Sequence, residues 1–403
     1  MLFVSLYHGA LYWPTTIRDK PVYPKLNKDM LCDILIIGAG MSGALLTYKL
    51  AKEPLEVILV EKDRVGEGST SANTGLLQYS NDKMLHSFAE SIGEKDAVRF
   101  YRLCLKGMEE LKEIASILQE DIQFENRQSL YYASTEADVL SIKKEYEMLK
   151  QYDFPVEFLD EEMIYKSYGF KKHAAIRTSG DAEVNPQKLV VSLIKEASKG
   201  SNVRVFENTE AEKLHYQDGY WLYKSEDACI RAKHVVYATG YELDNYTRNM
   251  ATKLNRTYVT VTNPISSFQQ WKDRSLIWET KRPYFYMRTT FDGRIVAGGL
   301  DEETMEAPKD PRILEAYGNK LLARVKEHFP QIQLQADYVY GATFGESKDG
   351  IPFIGEVPKS KNLYYCLGFG GNGTVYSSFG STIIKDLITK GEHPDADLVR
   401  LDR

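Results

Sequence analysis

The 403-residue sequence has few cysteines and spreads them widely. Cys32, Cys104, Cys229 and Cys366 form no C-x-x-C pair. That excludes a zinc or iron–sulfur site of the usual spacing and suggests reduced thiols in a cytosolic protein, so the expected location is cytoplasmic. Cys32 and Cys366 sit in apolar contexts and read as small core residues. There is no excess of positive charge: 51 Lys and Arg against 57 Asp and Glu give −6. A phosphate-binding surface should be basic, so no nucleic-acid partner is expected. No run approaches the roughly 20 apolar residues of a membrane span. The apolar start, Met1 to His8, lacks a basic leader and a small-residue cleavage site and is not read as a signal peptide. Asn245-Tyr246-Thr247 and Asn255-Arg256-Thr257 match the glycosylation pattern, which carries no meaning in a cytosolic protein.

What is present begins at Cys32. Ile34-Leu35-Ile36-Ile37 reads as a strand buried on both faces. It runs into Gly38-Ala39-Gly40-Met41-Ser42-Gly43, a G-x-G-x-x-G, and then a helical stretch from Ala44 to Ala51. Gly38 permits the tight turn, Gly40 lets the backbone approach a pyrophosphate, and Gly43 lets helix pack on strand. The helix N-terminus favours the negative charge. A second strand, Glu56 to Val60, ends at Glu61, eighteen residues after Gly43, where an acid should meet a ribose hydroxyl, with Lys62 beside it. This points to a dinucleotide site; the plainer alternative is a glycine-rich turn of another α/β protein. Next comes Gly66 to Leu77, dense in hydroxyls and glycines. It reads either as a polar surface loop or as a second cofactor segment. In the latter case Ser69, Thr70, Ser71, Asn73, Thr74, Gly75 and Leu76 face the cofactor.

Further on, apolar spacing predicts an amphipathic helix over 97–118, a strand over 129–133, and a helix capped by Thr135 that continues to Lys150. Asn185 and Pro186 start a helix to Lys199. Strands follow at 203–207 and 234–240, the second ending in Ala238-Thr239-Gly240, which suits close backbone approach to a cofactor. Residues 256–305 alternate like an antiparallel sheet, with a turn at Phe291-Asp292-Gly293. There Tyr284, Tyr286 and Arg288 share one face, either an active-site wall or an edge facing water. A helix is expected from Pro311 to Phe329. A strand at 363–367 then enters Gly368-Phe369-Gly370-Gly371-Asn372-Gly373, which opens a helix to Lys390 and offers Gly370, Gly371, Asn372, Gly373 and Thr374 to a dipole-stabilised anion. Residues 9–30, with Tyr12-Trp13-Pro14, read as an extended arm.

Taken together, these segments resemble the D-amino-acid-oxidase-type superfamily of FAD enzymes, which includes glycine oxidase, sarcosine oxidase and gamma-glutamylputrescine oxidoreductase. The resemblance rests on the arm, the fingerprint with Glu61, Gly68 to Gly75, Ala238 to Gly240, Lys348-Asp349-Gly350-Ile351-Pro352 and Gly368 to Gly373. It implies an α/β plus α+β fold: a Rossmann-like FAD/NAD(P)-binding domain with a substrate domain of antiparallel sheet and helices. The expected division is an arm over 1–30, a discontinuous FAD domain over 31–84, 173–254 and 339–390, a substrate domain over 85–172 and 255–338, and a tail over 391–403. The implied activity is oxidation of the C–N bond of an amine or amino acid by hydride transfer to flavin, the imine then hydrolysing, with oxygen or another electron acceptor as second partner.

The departures bear on the substrate. Glycine-oxidase-like members carry a carboxylate-binding arginine at what is here Phe344, and sarcosine-oxidase-like members a lysine at what is here Val375. Arg288, on the face of Tyr286, is the replacement candidate: pointing inward it would suit an amine with a remote acid group, whereas in solvent it would leave a neutral or cationic amine. Tyr286, Arg288 and Phe344 are therefore the candidate catalytic residues. The resemblance places covalent flavin links at a cysteine near Val339 to Gly345 and at a histidine in the position of Ala72. This chain has neither, so non-covalent FAD is expected. The alternatives are an FAD-binding redox partner or subunit, oxidation of a hydroxy acid or glycerol phosphate, and an NAD(P)-dependent dehydrogenase, which leaves the distant glycine-rich segments unexplained.

Overall fold

The computed structural model describes residues 6–241, 252–304, 306, 308, 310–368 and 370–403. Met1 to Ser5, the Asn245-Tyr246-Thr247 tripeptide and Phe369 of the second glycine run lie outside the described residues.

Continuous apolar runs build the first sheet. Its order is Phe353–Glu356, Leu363–Leu367, Cys229–Tyr237, Met30–Ile37, Val57–Val60 and Val203–Phe206. All neighbours are parallel except the first pair. Strand side chains alternate, and here both faces are covered, which is why unbroken runs of Ile, Leu and Val suit these strands. Ile34, Ile36, Val57 and Leu59 meet the helices Met41–Leu50 and Pro186–Ala197. The helix Gly373–Lys390 packs beside Met41–Leu50. Leu35, Ile58 and Val60 face Trp221 and Tyr223 of the hairpin Lys213–Gln217/Tyr220–Lys224, which pairs with the start of Cys229–Tyr237. Cys32 and Cys366 are buried, and all four cysteines are free.

The second sheet runs Tyr7–Gly9, Ala336–Ser347, Thr252–Thr262, Ile295–Glu302, Phe285–Thr289, Leu276–Glu279, Glu125–Tyr132, Ala174–Glu183 and Leu76–Leu77. Val156–Asp160 also pairs with Ala174–Glu183. Its pairs are antiparallel except Leu276–Glu279 beside Glu125–Tyr132. Helix Pro311–His328 covers one face through Leu321 and Val325 on Phe285, Met287 and Ile295. The opposite face presents Val259, Val261 and Val296 to Tyr12, Trp13 and Ala72. The arm thus lies on the body of the protein, anchored by buried Tyr12 and Trp13, and the Tyr7–Gly9 strand before it pairs with Ala336–Ser347. No helix among the described residues is long and apolar enough to cross a membrane.

The expected mixed fold, two sheet types with flanking helices, is what the structure contains. Three of the expected boundaries do not match the strand pairing. Ala174–Glu183 and Ala336–Ser347, expected wholly or partly in the nucleotide domain, hydrogen-bond into the antiparallel sheet. Leu76–Leu77 joins it too. The expected tail, 391–403, packs on the first sheet: Leu398, Val399 and Leu401 are buried, and the Ile354 N–H donates to the Val399 carbonyl at 2.8 Å. The helix expected over 97–118 spans Glu94–Ile117, and the Thr135 cap is a full capping box with Asp138.

Candidate active site

A cavity of 760 Å³ lies between the two sheets. At one end are Gly38, Gly40, Met41 and Ser42, Glu61 and Lys62 at the end of the second strand, and Ala238, Thr239 and Gly240. The three fingerprint glycines have different surroundings. Gly38 has φ +103°, and a Cβ on it would stand 2.6 Å from the Ala238 carbonyl. A Cβ on Gly43 would stand 1.9 Å from the Gly38 carbonyl, so Gly43 is a packing glycine and does not line the cavity. Gly40 does line it, and its Cβ would meet only Thr70 Oγ1, at 3.3 Å. The Glu61 carboxylate accepts from the Ala39 N–H at 2.7 Å and the Asp63 N–H at 3.0 Å, which fixes it at the cavity edge.

The middle is formed by the loop after the second strand and the start of the last helix. Ser69, Thr70, Asn73, Thr74 and Leu76 line it, as do Gly370, Gly371, Asn372, Gly373 and Thr374. The two segments touch: Asn73 Nδ2 donates to Thr374 Oγ1 at 3.4 Å. Ser71 and Gly75 were expected to face the cofactor but do not line the cavity. Ser71 Oγ turns back to the Gly68 carbonyl at 2.7 Å. Gly75, at φ +73°, lies with its Cα against the Val184 carbonyl and the Arg288 guanidinium. Ala39 likewise serves the turn through its N–H and stays out of the cavity wall.

At the far end the wall is aromatic: Trp278, Tyr284 and Tyr286 from the antiparallel sheet, closed by Thr257 and Phe344. Tyr286 lies over Gly298, where a Cβ would stand 2.3 Å from the phenol oxygen. Burial first, then Asp301 and Asp82, raise its pKa, so it stays a neutral phenol. Arg288 shares that strand face but is absent from the cavity. It is 2 % exposed and consumed by carbonyls: Nε donates to Thr74 at 2.7 Å, Nη2 to Val184 at 2.9 Å and Nη1 to Thr289 at 3.0 Å, with Glu183 at 3.7 Å. Its guanidinium lies 5.0 Å from the Trp13 ring, and Trp13 Nε1 donates to the Asn73 carbonyl at 2.5 Å. Arg288 is therefore neither an inward carboxylate binder nor a solvated residue; it fastens the loop at Thr74 from behind the cavity wall. Val375 is also turned away, packed at zero exposure against Gly107 of the long helix.

Residues 78–82 carry site groups that the motifs did not reveal. Gln78, Ser80 and Asp82 line the cavity, while Tyr79 is buried in the core and Asn81 accepts from Tyr376 Oη. Their signal is a strand-like alternation just after Leu76–Leu77. Asp82 Oδ2 accepts from the Gly371 N–H at 3.0 Å. Burial raises its pKa, opposed by Arg282 and that N–H. Asp301 is pushed up to about 7, first by burial and then by Asp82 and Glu346.

The cavity fits a flavin dinucleotide. The glycine cradle admits a close-approaching chain at Gly40, Glu61 lines the same end, and Ser80 Oγ and Trp278 Nε1 are buried in the wall without a well-formed hydrogen bond. No described lining residue is a cysteine or histidine.

Comparison with known proteins agrees with this geometry. The FAD dependent oxidoreductase family (DAO) matches residues 33–387. Glycine oxidase of Bacillus subtilis is 26% identical over 370 residues, covering 89% of this chain and 94% of that protein. The probable oxidoreductase OrdL of Rhizobium meliloti is 22% identical over 400 residues, covering 97% and 91%. Gamma-glutamylputrescine oxidoreductase of Escherichia coli is 20% identical over 390 residues, covering 94% and 89%. The crystal structure of glycine oxidase from Geobacillus kaustophilus superposes with a TM-score of 0.78 at 20% identity, over 93% of this chain and 99% of that one. With the match spanning both sheets and every glycine-rich segment of the cavity, the chain belongs to the DAO family of FAD dependent oxidoreductases and is an enzyme that uses FAD.

Proposed function

We propose that the protein oxidises the C–N bond of an amine or amino acid that sits against Tyr284, Tyr286 and Phe344. The substrate carbon gives up a hydride and the nitrogen a proton; the resulting imine takes up water and separates into a carbonyl compound and an amine. Bound FAD would supply the hydride acceptor, with oxygen or another acceptor as the final oxidant. The chain's own residues bind and orient. Gly38 to Ser42 and the helix N-terminus hold the pyrophosphate, Glu61 the ribose, and Ser69, Thr70, Asn73, Thr74 and Gly370 to Thr374 the remainder. The neutral phenols of Tyr284 and Tyr286 form a dry wall that keeps water from the reacting carbon. FAD is held without a covalent bond, since the described wall offers no cysteine or histidine for one. The parallel sheet serves as the nucleotide platform, and the antiparallel sheet covers the reacting end.

One observation carries this reading: a single cavity runs from the glycine cradle to the aromatic wall. Purified yellow protein, mixed without oxygen with a panel of primary amines, secondary amines and amino acids, is expected to bleach near 450 nm with at least one of them. Yellow protein that no amine or amino acid bleaches, but a hydroxy acid does, would overturn it.

A further inference from the structure

The reacting end of the cavity has the electrostatics of an ammonium site. The described cations in the cavity wall are Lys62 and Lys213, both on the nucleotide-binding sheet or its hairpin. The aromatic end holds a carboxylate instead. Asp82 lines it, anchored through Oδ2 to the Gly371 N–H. Asp301 and Glu346 lie within electrostatic reach of Asp82 and of each other. The cation facing this group is Arg282, which donates to the Asp82 backbone carbonyl at 2.6 Å and lies with its guanidinium 4.7 Å from the Tyr284 ring. Three carboxyl groups thus face the Arg282 guanidinium, with Lys253 also acting on Glu346.

A second observation is independent of that charge. Ser80 lines the cavity two residues before Asp82, is 6 % exposed, and its Oγ makes no well-formed hydrogen bond, with the Tyr79 phenol as a weak polar neighbour. A buried hydroxyl without a partner is costly unless a ligand supplies one. Beside a carboxylate, its complement is an N–H donor. The Tyr286 ring, and the side of Tyr284 that Arg282 leaves uncovered, add aromatic surface of the kind an alkylammonium prefers. An α-carboxylate at this end would have no lining cation and would face Asp82.

We propose that Asp82 and Ser80 receive a substrate ammonium, with Asp301 and Glu346 completing the negative rim, and that the substrate class is a diamine or polyamine lacking a carboxylate on the reacting carbon. This deepens the C–N oxidation reading and rests on it. One amine, neutral when it reacts, is oxidised as described above; the other stays charged and is held.

The test uses the FAD-loaded enzyme with an alkyl diamine and the monoamine of equal chain length, and also a bis(trimethylammonium)alkane. That dication has no nitrogen lone pair and is not oxidised, so its binding is read from the flavin absorbance alone. Wild type is expected to favour diamine over monoamine at least ten-fold in kcat/KM, and D82N to bring that ratio to about one while raising the dication Kd ten-fold or more. E346Q, farther from the wall, should move both in the same direction by a few-fold, and serves if D82N does not fold. A ratio that D82N and E346Q leave unchanged, or bleaching by α-amino acids in preference to diamines, overturns the ammonium site and leaves C–N oxidation standing. A dication that binds in an Asp82-dependent way to a flavin no amine bleaches supports the site and removes the C–N reading.

Discussion

Replacing Arg288 by methionine separates a structural role from a substrate-binding one. The guanidinium donates to three backbone carbonyls on segments far apart in sequence, at Thr74, Val184 and Thr289, and sits beside the Glu183 carboxylate. Methionine fills much of the volume but donates nothing. The carbonyls lose charge-assisted donors, and buried Glu183 is left with Arg127 alone, 2.9 Å away. Breaking one partner of a buried pair costs about 3–5 kcal/mol. With unfolding entropy near 2.1 cal/mol/K per residue, a cost of about 4 kcal/mol across this chain lowers the melting temperature by about 5 °C. The loop from Asn73 to Gly75 would loosen with it, so FAD retention on gel filtration should fall as well. R288K should lie between, because a lysine reaches one or two of the carbonyls as a point charge. Thermal melts of the FAD-free protein and flavin-to-protein absorbance ratios provide the readouts. If R288M melts within about 1 °C of wild type, keeps its FAD and raises only the KM of carboxylate substrates, the structural role is refuted and Arg288 is a substrate residue after all.

Two glycines of one motif should respond differently to the same methyl group: G43A, whose Cβ meets a backbone carbonyl at 1.9 Å, should lose both soluble yield and FAD, whereas G40A should fold with unchanged melting and bind FAD more weakly. Acid precipitation of the yellow protein should leave the flavin in the supernatant; colour in the pellet would contradict non-covalent binding. Dication binding should tighten between pH 6 and 8. The Asp301 carboxyl, raised to about 7, loses its proton in that window and adds negative charge beside Asp82, Glu346 and the opposing Arg282, while Thr257 stays neutral. A flat Kd across that range would separate Asp301 from the site.

The residues legible in the sequence were those whose role is local. A strand, a G-x-G-x-x-G, a helix and an acid eighteen residues on need only near neighbours to take shape: Gly38 and Gly43 have the close contacts their spacing predicts, and Glu61 is fixed by the Ala39 N–H at the cavity edge. The capping box at Thr135 and the Asn185 cap are equally local. Sheet membership is not. Ala174–Glu183 has an apolar pattern that suits either sheet, and only its register with Glu125–Tyr132 assigns it to the antiparallel one.

Arg288 illustrates the same limit at the site. Period-two alternation correctly put it on the face of Tyr284 and Tyr286, and that face is the cavity wall over the first two positions. Over the third, the sheet has already passed beneath the loop at Thr74, with Val184 and Trp13 closing in from other parts of the chain. An arginine there can satisfy its donors on carbonyls before any substrate arrives. Asp82 is the converse: it belongs to no motif, yet the turn after Leu77 carries it to Gly371 at the start of the last helix. The fingerprint therefore identifies the cofactor through residues that act on their neighbours. Ser80, Asp82, Tyr284 and Phe344 line the other end of the cavity, four positions brought together by three separate segments, and their grouping exists only in the folded chain.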